Sequence, residues 1–265
     1  MLCPSAMQNA PAAGPRTFLT QDLAMLIDLL QRRRAVRHFD FLQPLNPETV
    51  RDCLRQATLA PSAANLQLYE FHHISNAELL KALVPICLNQ QPAATAAQLV
   101  VFVCRQDKAR EHCRAVLRRA EDNLSSHSSP AKLEERLAKQ RRLYQRWLPL
   151  VYARGGLLGL LRSLGAALVG LRRPVWREVS AADVRIGVHR SCALAAQTFM
   201  LAMAEAGYDT CPLEGYDSRR LRRALRLPRG AEISLVVACG IRHPQRGLHG
   251  ERSRLPFGEV YRRWE

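Results

Sequence analysis

Apolar residues recur along this chain at two periods, and the change from one to the other predicts where helices give way to strands. Leu23, Leu26, Ile27 and Leu30 share one helical face behind a Thr20 N-cap, which predicts a helix from Thr20 to about Arg34. Asn46-Pro47 opens a second helix, with Val50, Cys53, Leu54 and Ala57 facing inward. It stops at Ala60-Pro61, because a residue before proline resists the helical region. Residues 68–74 predict a strand and Asn76 starts a short helix. The Val-Val-Phe-Val run within 98–104 predicts a buried strand.

Further on, 107–147 predicts a charged, solvent-facing helical region broken near 123–130. Ser180-Ala181-Ala182-Asp183 is a capping box and Gly207 a C-terminal stop, with a long Ala-rich helix between them. Asp217 caps a short basic helix through Arg226, residues 233–239 predict a last buried strand, and a basic arm follows. Helices dominate, with no internal repeat and no regular βαβ alternation. The expected class is α+β, a single domain over 20–265 behind a disordered leader at 1–19 in which no secretory signal is legible.

Composition sharpens this picture in two places. The chain is 48% hydrophobic and 23% charged, which excludes a disordered protein. Its net charge is +16, carried almost wholly by arginine, since only Lys81, Lys108, Lys132 and Lys139 are lysines. Such an excess attracts nucleic acid, acidic membranes or phosphorylated small molecules, although a coding bias also favours arginine. The eight cysteines form no C-x-x-C pair and fall in apparent core elements, so reduced thiols of a cytoplasmic protein are expected and a metal site is not.

Four stretches carry candidate chemistry. Arg32-Arg33-Arg34-Ala35-Val36-Arg37-His38-Phe39 sits at a helix end; arginine forks match phosphate oxygens, and a small residue lets a backbone N–H approach an anion. Pro61-Ser62-Ala63-Ala64-Asn65-Leu66-Gln67 supplies a hydroxyl and two amides on a short loop, which can hold a polar cofactor edge or simply bond its own backbone. Cys211-Pro212-Leu213-Glu214-Gly215-Tyr216-Asp217 reads as a rigid connector whose N–H groups can point at a ligand. In Arg252-Ser253-Arg254-Leu255-Pro256, two arginines at i and i+2 fall on one side of an extended chain.

In order and spacing these fragments resemble the nitroreductase family of FMN-dependent oxidoreductases, over roughly 22–110 and 183–260. The resemblance implies a homodimer of α+β subunits, each a small central sheet surrounded by helices, with a helical insertion at about 107–178. It implies FMN at the interface. Arg33, Arg34, Ala35 and Arg37 would hold the phosphate and ribityl chain, and Arg252 and Arg254 would close over the phosphate. Pro61, Ser62 and Ala63, with Asn65 on the same loop, would reach the neighbouring subunit's flavin. Asn89 would meet the isoalloxazine edge, Pro212 and Leu213 would belong to the cofactor site, and Glu214 and Gly215 would offer backbone N–H groups near flavin N5. NADH or NADPH would be the electron donor, and a nitroaromatic or quinone the small-molecule acceptor. Because the flavin carries the redox step, no catalytic side chain is expected. Ala35 stands where the family often has serine, and Leu68-Tyr69 where it often has Pro-Trp. The rival expectation is a basic protein of the same fold that binds nucleic acid or anionic membrane without turnover; no nucleic-acid motif supports it.

The 107–178 region holds one further pattern. Leu157, Leu160, Leu161, Leu164, Leu168 and Leu171 recur at helical spacing, opposite Gly155, Gly159, Arg162, Ala166 and Arg173. Three roles suit it: a leucine face packed on the subunit core, a lid over the flavin, or peripheral contact with an anionic membrane. Trp147 and Trp176 flank it as candidates for stacking on a substrate. His72 and His73 point to opposite faces of a strand and make no metal pair, His189 reads as a partly buried helix residue, and Met200 and Met203 as core filler.

Overall fold

The computed structural model describes residues 20–265; the side chains of 20–24 and of Pro130 lie outside that description. The leader at 1–19, the Thr20 cap and the packing of Leu23 therefore fall outside the described residues. A first helix, α1 (Thr20–Arg32), ends two residues short of the expected Arg34, and its Leu26, Ile27 and Leu30 face stands exposed. Helix α2 (Pro47–Ala57) is capped by Asn46, whose side chain accepts from the Glu48 N–H, and buries Val50, Cys53, Leu54 and Ala57 as its spacing predicts.

Strand β1 (Tyr69–Ile74) leads to α3 (Ala77–Leu83), where Asn76 accepts from the Leu79 N–H, then to α4 (Gln91–Thr95) and β2 (Gln98–Cys104). Helices α5 (Ala109–His127), α6 (Pro130–Arg142), α7 (Leu148–Val151) and α8 (Gly156–Val169) follow, with a π-helical turn at Leu143–Trp147. The first of these is less solvent-facing than its charge suggests: α5 buries Ala109, Cys113, Val116 and Leu117. Helix α9 (Ala181–Glu205) has both halves of the expected capping box, and Gly207 turns the chain away at φ +85°. Then come β3 (Asp209–Leu213), α10 (Ser218–Ala224) capped by Asp217, β4 (Glu232–Gly240) and a last turn, α11 (Phe257–Val260).

The four strands form one antiparallel sheet in the order β1-β2-β4-β3. β2 is buried along its whole length because its two faces serve two cores. Val100, Phe102 and Cys104 join α2, α5 and α9, with Phe102 and Phe199 ring centroids 5.6 Å apart. Leu99, Val101 and Val103 join Leu83, Ala93, Leu221 and the 36–39 segment on the other face. All seven described cysteines are buried and unpaired.

Strand β3 corrects the sequence reading, which had a loop from Cys211. Pro212 sits within a strand because β3 is the sheet's edge strand, so its missing N–H interrupts no ladder with another full strand. The outer edge of β3 meets the 33–39 segment instead: Ala35 bridges Thr210 in parallel, with the Val36 N–H donating to Thr210 O at 3.1 Å. The leucine pattern also resolves unexpectedly. Helix α8 docks through its small and polar face: an added Cβ at Gly159 would lie 2.7 Å from the Ala181 N. Arg162 donates to the carbonyls of Leu150 (2.8 Å), Val151, Ala153 (3.0 Å) and Val179 (3.0 Å). The leucines point outward, so the expectation of a leucine face on the core is overturned.

Candidate functional site

The end of α1 and the C-terminal arm are tied together, and that tie builds an arginine cleft. Arg242 Nε donates to both Asp209 carboxylate oxygens at 3.0 Å, fixing the end of β4 to the start of β3, while its Nη2 reaches Arg32 O at 3.3 Å. Arg252 Nη2 donates to Gln31 O (3.0 Å) and Arg33 O (2.6 Å), the unsatisfied carbonyls that any helix end presents. Arg34 Nη2 donates to Gly250 O at 2.9 Å. Together these bonds bring Arg33, Arg34, Ala35, Arg37, His249, Glu251, Arg252, Ser253 and Arg254 around one cleft of about 280 Å³.

Five guanidiniums converge there with little to balance them. Glu251 lines the cleft but pairs with none, and none has a carboxylate partner among the described residues. Burial, then the charges of Arg252, Arg254 and Arg34, push the Arg33 guanidinium below its ordinary value. Ala35 is exposed, and neither its N–H nor that of Arg34 has an acceptor among the described residues. Local chemistry that concentrates donors and positive charge without an internal acceptor is chemistry for an anion.

The cleft does not stop at the arginines. Arg37 and His249 also line an adjoining hollow with Gln90, Gln91 and Pro92. Gln90 Nε2 donates to Gly215 O at 2.5 Å and to Cys87 O at 3.2 Å, and the Asp217 N–H donates to Ile86 O at 2.8 Å. These bonds set the Asn89 loop, with Leu88 and Asn89 in the left-handed region, against the Glu214-Gly215 turn. The Glu214 and Gly215 N–H groups have no acceptor among the described residues. Leu213 is fully buried in the core, so its side chain cannot contact a ligand, and Pro212 pairs with Val237 in the sheet. Sequence reasoning gave no role to Gln90 or His249; Gln90 follows Asn89 in the Asn89-Gln90-Gln91-Pro92 stretch, but its bond to Gly215 spans 125 residues.

Pro61, Ser62 and Ala63 line a different cleft, about 310 Å³, with Tyr152, Trp176, Gly187, Arg190, Ser191 and Leu194. It shares no lining residue with the arginine cleft. The loop is held by its own bonds: Ser62 Oγ accepts from the Gln67 N–H (3.1 Å), Asn65 Oδ1 from Gln67 Nε2 (2.9 Å), and the Ala63 N–H donates to Ser191 Oγ (3.2 Å). Asn65 lines neither cleft. His189 lies in α9 with Nδ1 3.1 Å from Ser234 Oγ and Nε2 3.4 Å from Glu232; it lines neither cleft, although its helix neighbours Gly187, Arg190 and Ser191 line the second.

Residues 30–241, which span the whole sheet and most of these linings, match the Nitroreductase family. The chain belongs to the nitroreductase family. This places it among oxidoreductases. Its relatives include protein DrgA of Synechocystis, 25% identical over 236 residues that cover 88% of this chain and 93% of DrgA. YodC of Bacillus subtilis, named as a candidate NAD(P)H nitroreductase, is 22% identical over 88% of this chain and 96% of its own length. Among solved structures, a nitroreductase-like protein of Streptococcus mutans superposes with a TM-score of 0.66 at 19% identity, covering 92% of this chain and all of its own. A structure from Exiguobacterium sibiricum, solved in complex with FMN, superposes at 0.60 with 20% identity over 90% of this chain and 96% of its own. The nitroreductase fold, helix-rich around a small antiparallel sheet, is thus the fold of this chain.

Proposed function

We propose that this nitroreductase-family chain is an FMN-dependent oxidoreductase that takes hydride from NADH or NADPH and passes it to a small acceptor such as a nitroaromatic or quinone, in two half-reactions at one pocket. The observation that carries the reading is the arginine cleft, continuous through Arg37 and His249 with the Gln90–Gly215 turn. It has the chemistry of a phosphate site at one end and of a heteroaromatic edge at the other.

Bound FMN would supply the hydride chemistry; the chain's residues hold and orient it. Arg33, Arg34, Arg37, Arg252 and Arg254 take the phosphate, and the open Arg34 and Ala35 N–H groups add backbone donors where the usual serine hydroxyl is absent. Gln90 fixes the Gly215 carbonyl, which holds the Glu214 and Gly215 N–H groups facing the ring edge beside Asn89. Such preset donors stabilise negative charge without reorganising. Pro61, Ser62 and Ala63 serve the ring of a second subunit. A homodimer explains why these residues line a separate cleft, and the exposed Leu26, Ile27 and Leu30 of α1 and Ile186 and Leu194 of α9 supply apolar surface for it.

The rival reading, polyanion binding without turnover, requires arginines spread over an open face; here they converge on a molecule-sized cleft. The test is a double Arg33→Ala, Arg254→Ala variant. Each charge-assisted bond contributes about 1.5–3 kcal/mol, so FMN affinity should fall by at least about a hundredfold while the circular dichroism stays unchanged. Stoichiometric FMN in that folded variant overturns the assignment.

A further inference from the structure

Helix α8 presents its apolar side to solvent. Leu157, Leu160, Leu161, Leu164 and Leu168 lie within an arc of about 100°, and Leu157, Leu168 and, in the turn past the helix end, Leu171 are 71%, 69% and 82% exposed. The reversal is built in: Gly159 admits the Ala181 backbone, and the four carbonyl bonds from Arg162 hold the opposite side of the helix down. A helix clamped in this way presents a fixed surface.

The rim of that surface is basic. Between Glu135 and Glu178 the chain has no acidic residue, while Arg154, Arg172, Arg173 and Arg177 sit at the two ends of α8 and all four are exposed. Arg172, Arg173 and Arg177 have no carboxylate partner among the described residues, and Arg177 Nη2 instead donates to Gly170 O at 3.0 Å. Trp176, 54% exposed, stands in this rim. No helix among the described residues is long and apolar enough to cross a membrane.

We propose that the leucine face of α8 docks this protein on the surface of an anionic lipid bilayer. An exposed leucine stripe bounded by arginines and a tryptophan, where only Arg154 is paired (with Glu232) and the exposed Glu178 is the single carboxylate beside Arg177, is complementary to acyl chains beneath negative headgroups. A second copy of the chain is the poorer occupant, because a two-fold contact through this face would bring basic ends of α8 together, Arg172 and Arg173 against the Arg154 end or against each other. A lid is also disfavoured, since the clamp by Arg162 leaves no hinge. The inference does not rest on the FMN reading: Trp176 also lines the Pro61-Ser62-Ala63 cleft, but the leucines of α8 and Arg172 and Arg173 line neither cleft, and docking needs no cofactor.

Flotation of the full-length protein with phosphatidylcholine vesicles, with and without phosphatidylglycerol, tests it. The protein should float with the anionic vesicles and detach at high salt, and weakly or not at all with neutral ones. A Leu160→Ser, Leu164→Ser, Leu168→Ser variant should lose about tenfold or more in vesicle binding, with its mass in solution unchanged. An Arg172→Gln, Arg173→Gln variant should lose the preference for anionic vesicles, which keeps the proposal testable if the leucine variant fails to fold. Wild-type protein that ignores anionic vesicles, or a folded leucine variant that binds them undiminished, overturns the proposal. So does a leucine variant with altered oligomeric mass, which would make the face an interface between copies.

Discussion

At the scale of single residues, the arginine cleft depends on groups that touch no ligand. Phe39 is fully buried beneath the segment that carries Arg33, Arg34 and Arg37, and an added Cβ at Gly240 would lie 2.6–2.8 Å from the Phe39 ring and Cβ. Gly240→Ala therefore forces Phe39 to move and should cost about 1–3 kcal/mol, while Phe39→Ala leaves a cavity worth about 3–5 kcal/mol. Urea denaturation checks both, and an unchanged midpoint for either refutes the packing argument. Gln90→Leu should behave in the opposite manner: stability little changed, FMN affinity reduced about tenfold or more as the Gly215 carbonyl loses its donor. Flavin titration of the two classes of variant separates support from contact. The arginines were legible in the sequence because phosphate chemistry needs that residue type in clusters. Gln90 was not, since its role exists only through a turn far along the chain.

At the scale of elements, local chemistry was readable and edges were not. Helix α9 announced itself through Ser180, Asp183 and Gly207, each acting within a turn of the helix end. Strand β3 stayed hidden because pairing with β4 overrides the proline within it, and α8 because a leucine stripe ordinarily faces inward. The ends of the sheet carry ion pairs that no periodicity reveals. Glu70 on β1 meets Arg105 and Lys108, the latter at 2.9 Å, and Asp107 meets Arg105. Glu232 on β4 meets Arg185 and His189. Burial alone would raise all three carboxyls, but the cations outweigh it and hold each below its ordinary value. Depressed carboxyls stabilise fully above their unfolded values and lose that contribution as pH falls through the folded ones. The melting temperature should thus decline below about pH 4.5, whereas His189, held above its ordinary value by its hydrogen bonds to Cys104 and Glu232, adds stability as pH falls from neutral to about 5. Glu70→Gln should melt lower at neutral pH and show a shallower acid limb. A wild-type profile that stays flat through the acid range would remove these pairs from the account.

At the scale of the whole molecule, the separation of the two clefts is the observation with the widest consequence. The arginine cleft and the Pro61-Ser62-Ala63 cleft share no lining residue, and an exposed apolar surface on α1 and α9 accompanies them. If each FMN lies between one subunit's arginines and the other's loop, damage to either part ruins both sites of a homodimer, but in different chains. Arg33→Ala, Arg254→Ala subunits and subunits carrying Ser62→Trp should each be nearly inactive alone. When the two are dissociated and reassociated together, about half of the dimers are mixed, and each mixed dimer has one intact site and one doubly damaged site. Flavin-dependent turnover should then recover to about a quarter of the wild-type level, and FMN content should rise with it. A mixture no better than the average of its parents would mean that each chain builds its site alone. Recovery would require that the site be assembled from two copies, and it would explain why one chain holds two clefts of complementary kind.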